Sequence, residues 1–242
     1  MARRSRPQNV RPRSGKQKRH APIQEQHADY SVRPIIEPLQ PQTEAQGHYM
    51  LAIQSSPLTI ATGPAGTGKT YICAAMAADA LMSRRVDRII ITRPVVEAQE
   101  NIGFLPGEVD EKFAPYFEPF RDVLEERLGK GQVKALIASG RIVASPLAFM
   151  RGKTFKDAFV ILDEAQNTTT GQMKLFLTRL GEGVRCVVNG DVRQTDLRGA
   201  TGLEDAIARL SHLRSVAMVE FTVEDIVRSG LARDIVIAYE RS

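Results

Sequence analysis

The amino-acid sequence predicts an α/β fold, a mainly parallel sheet with helices on both faces. Three observations predict it. Leu58–Thr62 is a short apolar run leading into Gly63-Pro-Ala-Gly-Thr-Gly-Lys69-Thr70, and residues 69–81 behind it are Ala-rich and helix-prone. Residues 158–162, Ala-Phe-Val-Ile-Leu, form a second apolar run that ends on two adjacent acids, Asp163 and Glu164. From Leu58 onward, strand-like runs alternate with helical stretches, and that alternation implies a parallel sheet covered on both sides.

Composition sets the frame. At 242 residues the chain has room for one sizeable core, and its 43% hydrophobic and 25% charged residues are ordinary for a globular protein. No apolar run approaches a membrane span, and no apolar segment follows the basic N-terminus as a secretory leader requires. Cys73 and Cys186 stand far apart inside apolar runs and read as reduced core thiols, which suits a cytoplasmic setting; the four histidines are scattered. The net charge of +5 is local. Residues 1–20 hold eight Arg or Lys and no acid, so the remainder of the chain stands at −3.

Residues 1–42 are rich in Arg, Pro and Gln and read as a disordered basic tail, with residues 43–242 as the folded domain. The tail's cations can neutralise nucleic-acid phosphates or simply keep the chain in solution, and no aromatic is interleaved among them to stack on bases. Thr43 caps a helix expected to run to about residue 55. Gln46 lies on it, seventeen residues before Gly63, and its amide has the donor–acceptor pair that reads the N6/N7 edge of adenine; a solvated surface Gln is the plainer alternative.

The loop from Gly63 to Thr70 has the spacing of a phosphate cradle: Gly, four residues, then Gly-Lys-Thr. Its glycines allow successive N–H groups of Gly63, Pro64, Ala65, Gly66, Thr67 and Gly68 (Pro64 supplying none) to line a concave turn, and the following helix adds its positive end. Lys69 then reaches the β- and γ-phosphates, and the Thr70 hydroxyl holds Mg²⁺. Residues 88–93 form the next strand, with Thr92 and Arg93 at its carboxyl end, where ligands gather in open parallel sheets. Residues 97–107 read as a loop. Val109, Phe113, Phe117, Phe120, Leu124 and Leu128 then recur at helical spacing as a core-facing stripe, with Pro115 and Pro119 expected to divide the helix. Residues 141–145 are a short strand candidate.

The strand ending in Asp163 and Glu164 delivers carboxylates to the same site. Asp163 is placed to hold Mg²⁺ through water and Glu164 to polarise an attacking water, a pairing expected of an NTP hydrolase. Residues 185–189 form another strand, followed by Gln194, which can sense the γ-phosphate. Residues 203–210 read as helix, 216–221 as the last strand, and 223–239 as helix broken near Gly230. Arg151, Arg179 and Arg228 are the candidate arginine fingers.

With these stretches in hand, the chain resembles the PhoH family. The matching segments are Gly63-Pro-Ala-Gly-Thr-Gly-Lys-Thr-Tyr71, Thr92-Arg-Pro-Val-Val-Glu-Ala98, Gly103-Phe-Leu-Pro-Gly107, Phe149-Met-Arg-Gly152, Phe159-Val-Ile-Leu-Asp-Glu-Ala-Gln-Asn-Thr-Thr169, the stretch from Met173 to Gly181, and Gly190-Asp191 with Gln194. The resemblance spans about residues 40–242. It implies a RecA-like P-loop NTPase core related to the first motor domain of superfamily 1 helicases, with ATP and Mg²⁺ as ligands, a cytoplasmic location and a link to RNA metabolism or phosphate starvation. The segment from Asp196 to Gly202 departs from the family's usual Pro-containing loop, and the chain shows no added RNase-like domain. Since a helicase motor places ATP between two such cores and this chain has one, a homo-oligomer, a ring among the arrangements this permits, is expected to complete the site, with single-stranded RNA as a candidate partner. The competing expectation is an RNA-binding module switched by ATP with little hydrolysis; a small-molecule kinase lacks an Arg-bearing lid or acceptor pattern.

Overall fold

The apolar runs become strands almost where they begin and end. The computed structural model of the chain describes residues 37–94, 109–150, 152, 154–197, 199–228 and 230–240. Among the described residues six strands, β1 (Leu58–Thr62), β2 (Arg88–Arg93), β3 (Ile142–Pro146), β4 (Ala158–Leu162), β5 (Arg185–Gly190) and β6 (Val216–Glu220), form one sheet in the order β3-β2-β4-β5-β1-β6. Every pairing is parallel, so the expectation of a mainly parallel sheet is met in full. With the phosphate-loop motif on β1, this is a RecA-like P-loop NTPase fold.

Among the described residues there are seven α-helices: α1 (Glu44–Ser55), α2 (Lys69–Met82), α3 (Val109–Leu128), α4 (Lys130–Ala138), α5 (Thr170–Leu177), α6 (Gly202–Leu210) and α7 (Gly230–Glu240), of which α1 to α6 cover the sheet. Successive strand residues point to opposite faces, and the core divides accordingly. Ala61, Ile89, Ile91, Phe159, Ile161 and Val187 pack beneath α1–α4. Ile60, Ile90, Val160, Leu162 and Val188 pack beneath α5 and α6, whose Met173, Phe176 and Leu203 meet them. Burial on both sides explains why these strands read as continuous apolar runs rather than alternating ones. Cys73 and Cys186 are free, buried and on opposite faces of the sheet. Burial pushes the Cys73 thiol up to about 12 and the Cys186 thiol higher still, so neither is a ready thiolate.

Several boundaries differ from expectation. Residues before 43 pack on the folded domain: Leu39 packs on the core and the Glu37 carbonyl accepts from Arg127 Nη1 at 2.9 Å. Residues 1–36 of the expected tail, and the expected loop over 97–107, lie outside the described residues. Pro115 and Pro119 do not divide the helix, because α3 runs from Val109 to Leu128 as one element. Each proline removes one N–H donor, but the fully buried Phe120 and Leu124 lock the C-terminal turns against α2, and packing outweighs the lost backbone bonds. The expected last helix is a 3₁₀ turn (Val223–Asp225) and then α7, and residues 226–228 between them, Arg228 included, are neither helix nor strand. α4 and α5 have no counterpart in the sequence reading.

Register brings the strand ends together. Thr62 lies opposite Gly190, Leu162 opposite Val188, and Thr92 opposite Leu162. The loops after β1, β5 and β4 therefore open side by side, about 5 Å from strand to strand.

Candidate nucleotide site

A cleft of about 320 Å³ opens at the carboxyl ends of β1, β5 and β4. Of the residues expected in the site, it brings together Gly63, Ala65, Gly66, Thr67, Gly68, Lys69, Thr70, Asp163, Glu164, Gln194 and Arg228. Pro64 is buried and does not line the cleft. Tyr71, Gln166, Gly190 and Asp191 also line the cleft.

The loop owes its curl to its glycines. Gly68 is the N-cap of α2 with φ 86° and ψ 8°, a left-handed conformation that an L side chain adopts only at a cost. Gly66 has φ 85°, and a Cβ there would stand 3.0 Å from Arg228 Nε. The loop and Arg228 are thus in direct apposition, fixed by a backbone bond from Val227 N–H to the Gly66 carbonyl (3.0 Å).

Lys69 folds onto its own loop. Its Nζ donates to the carbonyls of Gly63 (2.7 Å) and Pro64 (2.8 Å) and to Thr67 Oγ1 (3.2 Å). All three ammonium donors are used, so the lysine must exchange loop oxygens for phosphate oxygens when an anion enters. Burial lowers its pKa, while the carboxylates of Asp191, Asp163 and Glu164 pull it back up.

Asp163 and Glu164 follow β4 and differ sharply. Asp163 is nearly buried, and its Oδ2 accepts from Arg93 Nε (3.0 Å) and Arg93 Nη2. Burial pushes this carboxyl up from its ordinary range and the Arg93 guanidinium pulls it down. Arg93 in turn lies over the Phe120 ring, 5.5 Å from its centroid, a cation–π contact that anchors the arginine to α3. Thr92, the other residue expected to act at this strand end, is fully buried and lines no part of the cleft. Glu164 has φ 54° and ψ 39°, left-handed for a residue with a side chain, at a cost of about 1–2 kcal/mol. Its Oε2 accepts from Gln166 Nε2 at 2.7 Å.

Asp191 was not singled out for the site from sequence, yet it faces Lys69 from β5. Its Oδ1 accepts the Arg193 N–H, while its buried Oδ2 has no hydrogen-bond partner among the described residues. An orphaned acceptor beside a lysine marks a place where a polar ligand belongs. The signal for Asp191 was its position just past the last apolar residue of a strand neighbouring the phosphate-loop strand.

Gln46 sits behind the loop rather than in the cleft. Its Oε1 accepts the Gln42 N–H (2.8 Å) and its Nε2 donates to the Thr67 carbonyl (3.0 Å). Both ends of the amide that was expected to read adenine are therefore bound to the protein backbone in this state. Arg179 lies elsewhere as well: its carbonyl accepts the Phe155 N–H, ahead of the first residue of β4, at the amino ends of the strands. In a parallel sheet that is the end opposite the cleft, so Arg179 cannot serve the site of its own chain. Arg151 falls outside the described residues.

The donor set fits a nucleotide with a divalent cation. Thr70 and Asp163 would hold the metal together with phosphate oxygens, since among the described residues no group of three or more His, Cys, Asp or Glu could cage one alone. Among the described residues no helix is long and apolar enough to cross a membrane.

The PhoH-like protein family matches residues 38–240. The chain is 53% identical over 206 residues to Protein PhoH of Escherichia coli K12, covering 84% of this chain and 58% of that protein. It is 46% identical over 201 residues to the PhoH-like protein of Bacillus subtilis, covering 82% and 63%. The chain thus spans about three fifths of the length of these relatives. Among solved structures it aligns with the Pif1 helicase of Candida albicans at TM-score 0.39 and 12% identity, over 76% of this chain and 40% of that one, a likeness too distant to bear on function. On the family match and these identities, the chain belongs to the PhoH-like protein family.

Proposed function

We propose that the chain is a Mg²⁺-dependent ATP hydrolase of the PhoH type, coupled to the binding or remodelling of single-stranded RNA. One observation carries the hydrolase reading: Lys69, Thr70, Asp163, Glu164 and Gln194 converge on one cleft from three adjacent strands. The loop N–H groups and Lys69 bind and orient the phosphates. A cation held at Thr70 and Asp163 would neutralise charge on the β- and γ-phosphate oxygens. Glu164 accepts a proton from the attacking water, Gln194 helps to place that water, and Arg228 lies in the same chain where negative charge develops. Use of Gln46 on adenine requires release of its bonds to Gln42 and Thr67. The cytoplasmic location and the homo-oligomer, ring or otherwise, belong to the same proposal. A strictly monomeric protein with full turnover, by light scattering alongside the assay, would remove the oligomer from it.

The deciding experiment is ATP turnover with and without single-stranded RNA, in wild type and Glu164→Gln. RNA-stimulated turnover lost by at least about 100-fold in the variant, with nucleotide binding retained, is the expected result. Slow turnover, indifferent to RNA and unchanged in the variant, sinks the role given to Glu164.

A second reading has its own observation. Arg93 donates to Asp163, and Lys69 donates to the carbonyls of its own loop, bonds that compete with the cation and the phosphates for the groups needed for hydrolysis. That arrangement supports an ATP-operated switch on RNA binding with little hydrolysis. Deleting residues 1–36 tests the tail's part in either case, because loss of RNA affinity with ATP turnover intact makes it a tether.

A further inference from the structure

Glu164 stands at the carboxyl end of β4 in a backbone conformation that side chains avoid, and something must hold its carboxylate in one pose. Gln166 does so. Its Nε2 donates to Glu164 Oε2 (2.7 Å), and its Oε1 accepts the Asp191 N–H (3.1 Å). Gln166 is 4% exposed and its bond to the Asp191 N–H is buried, while its bond to Glu164 reaches an acid that is itself exposed to the cleft and solvent. The Gln166 backbone is tied as well, its carbonyl accepting from Thr195 Oγ1 at 3.1 Å. Space around it is closed, since a Cβ on Gly190 would come within 2.9 Å of Gln166 Oε1 and 2.5 Å of Leu203 Cδ2. One amide therefore bridges the acid after β4 to the loop after β5, which carries Asp191 and Gln194.

We infer that Gln166 is a positioning residue for the hydrolysis reaction. It holds Glu164 by one oxygen and leaves the other for the attacking water, in a register set by the Asp191 backbone. Only a group with a donor and an acceptor side by side can make this bridge, which is the reason for an amide at this place. Gln166 acts through Glu164, and the inference rests on the proposed role of Glu164 as proton acceptor.

The test is a double-mutant cycle with Gln166→Met and Glu164→Gln in the full chain, read by steady-state ATP turnover and by thermal melting. Gln166→Met is expected to lower kcat about 10- to 100-fold, as misplacement of a reacting group does, with KM for ATP within about twofold. In the Glu164→Gln background it should add almost nothing to the loss of kcat. For the melts Glu164→Ala replaces Glu164→Gln, which keeps an acceptor oxygen, and there the shifts should be non-additive because the two side chains share a bond. Unchanged kcat in Gln166→Met, losses that multiply across the cycle, or a KM rising in step with the fall in kcat each overturn the inference. If Gln166→Met does not fold, Gln166→Glu, of equal size and unable to donate while ionised, is read in the same way. Failure of the hydrolase reading looks different: wild type without turnover, or Glu164→Gln as fast as wild type. In that event coupling in the melts leaves the bond real but overturns its catalytic purpose, and additive melts overturn the bond itself.

Discussion

The two ends of the sheet have the same strands and opposite characters. At the amino ends, polar groups close on one another: Arg185 Nη1 donates to the Ile53 and Ser56 carbonyls, Arg141 Nε to the Asp87 carbonyl (3.0 Å), and the Asp87 N–H to the Asp157 carbonyl (2.7 Å). At the carboxyl ends a cleft stays open, Asp191 keeps a buried oxygen without a partner among the described residues, and Lys69 and Asp163 are held by groups that a ligand must displace. Backbone strain does not separate the ends, because Arg84 and Asp157, near the amino ends, have positive φ just as Glu164 does. An open cleft lined by groups whose bonds a ligand can displace separates them, not unpaired atoms as such, since among the described residues Arg179 Nε, near the amino ends, also lacks a partner. One end holds the sheet together and the other is built to receive something.

Lys69→Ala should break this contrast most severely. The substitution removes the ammonium that must meet the β- and γ-phosphates, and apparent affinity for Mg·ATP should fall by at least about 100-fold. A ligand at 100 times its Kd stabilises a protein by about 2.7 kcal/mol, so the wild-type melting temperature should rise by several degrees with saturating nucleotide and that of the variant hardly at all. The comparison is between shifts, because losing the bonds to Gly63 and Pro64 lowers the variant's starting temperature too. An undiminished shift would mean that the carboxyl-end cleft is not the nucleotide site.

What the sequence could disclose follows the same division. The strands were readable because burial on both faces writes them as unbroken apolar runs, and the phosphate loop because its spacing is local. The clamp of Arg93 on Asp163 was not readable: the residues are seventy positions apart and meet only because Thr92 falls opposite Leu162 in the β2–β4 register. Gln46 was noticed for its chemistry, but its bond to the Thr67 carbonyl depends on how α1 docks behind the loop. The prolines in α3 misled because local propensity yields to the packing of Phe120 and Leu124. α5 was missed despite a readable sign, the Thr169–Gln172 capping box at its start. Arg179 and Arg228 look alike in sequence, and only topology sends them to opposite ends.

That pair sharpens the comparison at an intermediate level. Arg228→Ala removes a cation apposed to Gly66 in the same chain, and kcat should fall about 10- to 100-fold. Arg179→Ala leaves the chain's own cleft untouched and should be silent unless a second copy presents Arg179 to it. Mixing decides the matter: if Arg179 acts between copies, Arg179→Ala and Glu164→Gln proteins, each inactive alone, regain turnover together, because one mixed site has both groups. No loss in Arg179→Ala removes this arginine from the reaction.

The smallest effect on chemistry should come from the closed end, where Arg185→Leu serves as the counterpart to Lys69→Ala. Arg185 opens β5 and donates through Nη1 to two carbonyls, Ile53 near the end of α1 and Ser56 just past it. These bonds pin the end of α1 to the sheet at the point where the chain turns into β1. Leucine keeps much of the stem packing and loses the donors, so stability should drop by about 1–2 kcal/mol, the range for a charge-assisted bond that is partly solvated. Turnover and the nucleotide-induced melting shift should stay within about twofold of wild type, measured well below the lowered melting temperature. A large fall in kcat from this substitution would show that strain at the amino ends passes along β5 to Asp191, and the separation of a structural end from a chemical end would have to be abandoned.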